Sequence, residues 1–96
     1  MGAETFFTTA SGKSAREAFD NAVSDALYED GHGGYTGTIA EKNSYKMIDC
    51  PKDTHPNQYA DQLIDDEDPR IDDKWGPAGC IDLGDNKYLF FGWASS

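Results

Sequence analysis

The chain has 96 residues, with 18 Asp and Glu against 8 Lys and Arg, for a formal charge of -10. That length supports one domain, residues 1–96, with a single modest core. The charge excludes direct binding to nucleic acid or an anionic membrane, because the few cations are scattered and form no basic patch.

No stretch approaches the ~20 consecutive apolar residues of a membrane span. The first residues also lack the basic-then-apolar order of a signal peptide, so the expected location is the cytoplasm. Two cysteines, Cys50 and Cys80, are too few for the stapled framework of a small secreted domain and are expected to be reduced.

Glu4 to Ala10 (ETFFTTA) combines aromatic and β-branched residues that suit a pleated, half-buried surface, which predicts a first strand. Gly12-Lys13-Ser14 follows, where the end of a phosphate-binding loop would stand. Phe7 occupies the position that this pattern reserves for glycine, so the tripeptide reads as a capped turn. From Ser14 to Asp30, apolar residues at 15, 18, 19, 22, 23, 26 and 27 form a stripe that only an α-helix places on one face. Ser14 and Glu17 make a capping box, in which the Ser14 side chain accepts from the Glu17 amide and the Glu17 carboxylate reaches back to the Ser14 amide. Gly31 supplies the stop.

Tyr35 to Lys42 and Tyr45 to Asp49, separated by Asn43-Ser44, predict a hairpin. Pro51 ends it. A short amphipathic helix is expected to open at Thr54-His55-Pro56 with Thr54 as N-cap, carrying Tyr59, Ala60, Leu63 and Ile64 inward. The acidic run Asp61 to Asp73 (DQLIDDEDPRIDD), broken by Pro69 and followed by Gly76-Pro77, reads as an irregular surface excursion. Gly79 to Leu83 and Lys87 to Ala94 flank the turn signal Gly84-Asp85-Asn86 and predict a closing hairpin. The order β-α-β-β-α-β-β points to an α+β two-layer sandwich: a mostly antiparallel sheet with one long helix packed on one face. Its core is expected to be rich in aromatics, drawn from Phe6, Phe7, Phe19, Tyr45, Trp75, Tyr88, Phe90, Phe91 and Trp93.

Cys50, Cys80, His55 and His32 are zinc-binding residue types, yet neither C-x-x-C nor H-x-x-x-H spacing occurs. The acidic run lacks the alternating aspartates, glycine and final glutamate of a calcium-binding loop. Nothing near Cys50 marks it as an electropositive nucleophile site. No metal, cofactor or catalytic residue is therefore assigned, and the chain is expected not to be an enzyme.

The segment Tyr28 to Lys42 (YEDGHGGYTGTIAEK), preceded by the capped, alanine-rich helix, resembles segments of small proteins of phages and mobile elements, over residues 14 to 42. In general character, the short acidic chain is similar to phage inhibitors of host defence, the anti-CRISPR and anti-restriction proteins that imitate nucleic acid. That resemblance implies an inhibitor that occupies a basic, nucleic-acid-binding surface of a defence protein.

The acids Asp61, Asp65, Asp66, Glu67, Asp68, Asp72 and Asp73 would then carry the binding, with Tyr59 or Trp75 as an aromatic anchor. An alternative reading is a small-ligand-binding or catalytic domain on the loop 31–38, where four glycines stand among His32, Tyr35 and Thr36. A third has the segment Tyr88 to Trp93 pairing with a second copy of the chain.

Overall fold

The structure is a computed structural model that describes every residue except Met1, His32 and Tyr35; the Asp30 side chain also lies outside the description. Its elements in chain order are β1 (Ala3–Ser11), α1 (Ala15–Asp30), a 3-10 turn (Ile39–Glu41), β2 (Tyr45–Met47), α2 (Pro56–Asp65), β3 (Ala78–Gly84) and β4 (Lys87–Ser95). The fold is α+β with a four-stranded mixed sheet in the order β1-β4-β3-β2. No helix among the described residues is long and apolar enough to cross a membrane.

β1 and β4 pair antiparallel along their whole length, from Ala3 opposite Ser95 to Ser11 opposite Lys87. β3 and β4 form the expected hairpin. Asp85 and Asn86 both have positive φ, 54° and 62°, as a two-residue type I′ turn requires. Gly84, at φ 84°, sits at the register shift just before that turn.

The first predicted hairpin is not formed. Thr36 to Lys42 contains a 3-10 turn in place of a strand, capped by the Thr38 hydroxyl, which accepts from the Ala40 amide at 3.2 Å. The glycines account for the difference, because Gly34 and Gly37 take φ of 79° and 71°, which bends the chain away from extended geometry. Only Tyr45–Met47 remains as strand, and it pairs parallel to β3. A parallel neighbour needs a crossover connection, and α2 supplies it.

α1 and α2 lie on opposite faces of the sheet, so the layers are helix, sheet, helix rather than the two expected. Alternation along the strands sorts the core. Phe6, Cys80, Phe90 and Ala94 face Ala18, Phe19 and Ala22 of α1, while Ile81, Leu89 and Phe91 face Ala60, Leu63 and Ile64 of α2. On the α1 side, the Phe19 ring lies 5.2 Å from Tyr45 and 5.6 Å from Phe90, which ties α1 to both β2 and β4. On the α2 side, the Phe91 ring lies across Gly79, leaving no room there for a β-carbon. Two expected core aromatics are outside it: Trp75 is 62% exposed and Phe7 42%.

α1 begins as its capping box predicts, with one change of partner. Ser14 Oγ accepts from the Glu17 amide at 3.2 Å, but the Glu17 carboxylate accepts from the Lys13 amide, at 3.2 Å, rather than from Ser14. Gly12 is required here, because a β-carbon would meet the backbone of Ala18. The glycine of the apparent phosphate loop thus serves close packing of β1 against α1. β4 has a partner on each side, so Tyr88 to Trp93 has no free edge to offer a second copy.

Candidate functional site

α2 starts at Pro56, with His55 rather than Thr54 as its N-cap; Nδ1 of His55 accepts from the Asn57 amide at 3.2 Å. Pro56 fits the first helical position because its missing N–H would be unbonded there anyway. Leu63 and Ile64 turn into the core, which leaves Asp61, Asp65 and Asp66 outside.

The end of α2 is a Schellman closure. The Asp68 amide donates to the Leu63 carbonyl at 3.0 Å and the Glu67 amide to the Ile64 carbonyl at 3.1 Å, with Glu67 in the left-handed region at φ 53°. The chain therefore reverses sharply through Asp65, Asp66 and Glu67, and sets three exposed carboxylates at consecutive positions on an outer corner.

Asp68 does not join them. Arg70 grips it with a fork, Nε to Oδ1 at 2.9 Å and Nη2 to Oδ2 at 2.8 Å, and its amide donates to the same Oδ1 at 2.9 Å. Those hydrogen bonds, the side-chain pair first, hold the Asp68 carboxyl below the usual carboxylate range. Arg70 is held correspondingly more firmly protonated. Asp68 is thus a neutralised turn residue and not the free charge that the sequence suggested. Ile71, next in the chain, is buried and pins this loop to the α2-side core.

Asp73 is also engaged. Its Oδ1 accepts from the Trp75 amide at 2.8 Å, and the ammonium of Lys42 lies within its electrostatic reach. Lys42, only 3% exposed, donates to three carbonyls of one loop: Asp73 at 3.3 Å, Lys74 at 3.2 Å and Gly76 at 2.9 Å. Burial pushes its pKa down, and the Asp73 charge partly restores it. The sequence presents Lys42 only as one more scattered cation. Its structural role has no local signature, since its partners lie more than thirty residues away.

The ion pairs among the described residues are Arg16–Asp20 and Arg70–Asp68. Asp61, Asp65, Asp66, Glu67 and Asp72 are exposed and stand outside both. Glu67 and Asp72 share a groove of about 350 Å³ with Lys74 and Trp93, which brings one cation to that side of the cluster. Of the two proposed anchors, Trp75 is exposed and carries Lys74 Nζ 5.4 Å from its ring centroid. Tyr59 is half-buried against the α2-side core and is a packing residue.

In the glycine-rich loop, His32 and Tyr35 lie outside the described residues. Thr36 is occupied internally: its amide and hydroxyl both donate to Glu41 Oε2, at 3.1 and 2.9 Å. Among the described residues, no group of three or more His, Cys, Asp or Glu side chains is placed to hold a metal ion. Both cysteines are free. Cys50 donates to the Thr54 carbonyl at 3.4 Å, and burial pushes the Cys80 thiol up to about 12.

No protein-family model, curated protein or solved structure matches the chain.

Proposed function

We propose that this chain is a non-enzymatic binding protein that docks its acidic corner on a basic protein surface of the kind that otherwise holds nucleic acid. The observation that carries this reading is the row Asp65, Asp66 and Glu67, exposed and outside any ion pair among the described residues, with Asp61 one helical turn behind. Consecutive α-carbons are ~3.8 Å apart. One strand of DNA carries a charge each ~3.4 Å along its axis, so the local charge density is comparable. A groove of lysines and arginines would release its counterions to this corner much as it does to a phosphate backbone. Within this reading, the target class is the one that the resemblance implies, a nucleic-acid-binding protein of host defence.

The test separates a localised face from mere net charge. Asp65→Lys with Asp66→Lys is compared with Asp49→Lys and Asp53→Lys, another exposed pair. Both double variants change the net charge equally. Affinity for an immobilised lysine homopolymer is measured over a salt series, with circular dichroism to confirm the fold. The first pair should weaken binding more and flatten the salt slope more. Equal effects of the two pairs would overturn the reading.

A further inference from the structure

β1 is an edge strand of 9 residues, bonded on one side only among the described residues. Natural edges are usually protected by a lysine, a proline, a bulge or a cover. β1 has none of the first three, and its one charged side chain is Glu4: its sequence is AETFFTTAS, and its register with β4 runs unbroken. The direction of its free groups follows from the ladder. Gly2 and Ser96 exchange both backbone bonds, at 3.0 and 3.1 Å, so even-numbered residues face β4 and odd-numbered ones turn their N–H and C=O outward. Ala3, Thr5, Phe7 and Thr9 thus present an open row. The next outward carbonyl, that of Ser11, accepts from the Asn21 side chain.

Grooves flank this edge on both faces of the sheet. On the α2 side, Phe7, Asn57, Gln58 and Asp61 line one of about 300 Å³. On the α1 side, one of about 230 Å³ runs along Thr8, Thr9 and Ala10 and includes Asp25 and Glu29. Among the described residues neither groove is lined by a cation; Lys74 stands at the Ala3 end of the strand, in a separate groove. An added strand projects alternate side chains to opposite faces, so it would meet an acid and some apolar surface on each side.

We infer that the free edge of β1 takes up an extended, lysine- or arginine-bearing segment of a partner protein as a fifth strand. The occupant is argued from charge. A second copy also carries a formal charge of -10, and pairing edge to edge would bring like-charged grooves together. A basic segment is attracted by the same field. This inference rests on the binding-protein reading above and names the backbone contact through which a partner is held.

The probe is a synthetic peptide of the length of β1, alternating Lys and Val, with an equally charged peptide alternating Lys and Pro as control. Amide hydrogen exchange of the full chain is followed residue by residue by NMR. At about ten times the dissociation constant, the Lys-Val peptide should slow exchange roughly tenfold at Thr5, Phe7 and Thr9. The Lys-Pro peptide should not. Thr5→Pro, which removes an outward N–H, should abolish that protection. Should Thr5→Pro unfold the chain, Asp25→Lys leaves the backbone intact and should weaken Lys-Val binding several-fold.

Equal protection by both peptides, or none at β1, would overturn the inference. Protection of the same amides that grows with protein concentration in the absence of peptide would overturn it in favour of a second copy. Loss of homopolymer binding in the Asp65/Asp66 double variant, without β1 protection by peptide, would leave the acidic corner standing and remove this inference alone.

Discussion

Replacing Lys42 by Met keeps most of the aliphatic stem and removes the charged donor. The 2.9 Å bond to Gly76 is of normal length, whereas those to Lys74 and Asp73, at 3.2 and 3.3 Å, are long. A charged-donor bond contributes ~1.5–3 kcal/mol at good geometry, and the two longer ones about 1 each, so the gross loss is ~4 kcal/mol. Relief from burying an ammonium offsets part of this, as does water reaching carbonyls in a half-exposed loop. The net destabilisation should be ~2 kcal/mol. With an m-value of ~1–1.5 kcal/mol/M for a domain of this size, the urea midpoint should fall by ~1.5 M. Exchange of the Gly76 amide, bonded to the Asp73 carbonyl at 2.9 Å, should accelerate as the loop loosens, and the fluorescence of the exposed Trp75 should change with it. A loss below ~0.5 kcal/mol with an unchanged Gly76 exchange rate would refute the reasoning, since it would mean that the three bonds only balance the cost of burial.

Two further outcomes follow from local geometry. Glu67→Gly should raise stability by ~0.5–1 kcal/mol, seen in thermal melts, because glycine adopts φ 53° without the β-carbon penalty. Glu67→Ala removes the same charge but keeps that penalty, so equal gains in the two variants would defeat the backbone explanation. Cys80 gives a pH signature. Its folded value near 12 lies above the ~8.5 of an unfolded thiol. The unfolded chain thus loses this proton first, and stability present below pH ~8.5 drains away as pH rises, by at most ~1.4 kcal/mol per pH unit. Lys42 works the other way, its lowered pKa adding stability as pH climbs towards its unfolded value, but it is common to both proteins. Cys80→Val should therefore lose less stability than the parent between pH 7 and 10 in urea titrations. Parallel pH profiles would contradict the assignment.

The local signals in the sequence were legible where one element determines its own shape. The stripe from Ala15 to Leu27, the Ser14–Glu17 cap and the Asp85-Asn86 turn all depend on neighbours within a few residues, and the structure contains each. What could not be read depends on distant partners. Tyr35 to Lys42 alternates like a strand, but the positive φ of Gly37 and the burial of Lys42 under the loop 73–76 decide otherwise. The placement of the helices on both faces was hidden for a similar reason: β3 and β4 are apolar on both sides, as in Phe90 and Phe91, and such runs do not say how many layers cover them. The candidate surface was half legible. Composition shows the acids, but only the folded chain sets Arg70 on Asp68 and brings Lys42 near Asp73.

The corner at the end of α2 also runs against the stability of its own helix. Carboxylates near a helix C-terminus face the negative end of its dipole, and α2 has no basic residue in its last turn. Asp65, Asp66 and Glu67 repel one another besides, and Glu67 takes a left-handed conformation that glycine would hold at less cost. α1 likewise ends on acids, Glu29 and Asp30, yet it passes to a glycine at φ 82°, so its stop carries no such strain. The difference matters, because a generally acidic composition would account for charge at both helix ends but not for a charged residue in the left-handed position that closes a helix. Where several local rules are broken together at an exposed site, folding does not explain the choice, and the proposed contact with an oppositely charged surface would. Such contact would reverse the sign of each electrostatic penalty: a bound cationic groove stabilises the same carboxylates that the helix end and their mutual repulsion disfavour.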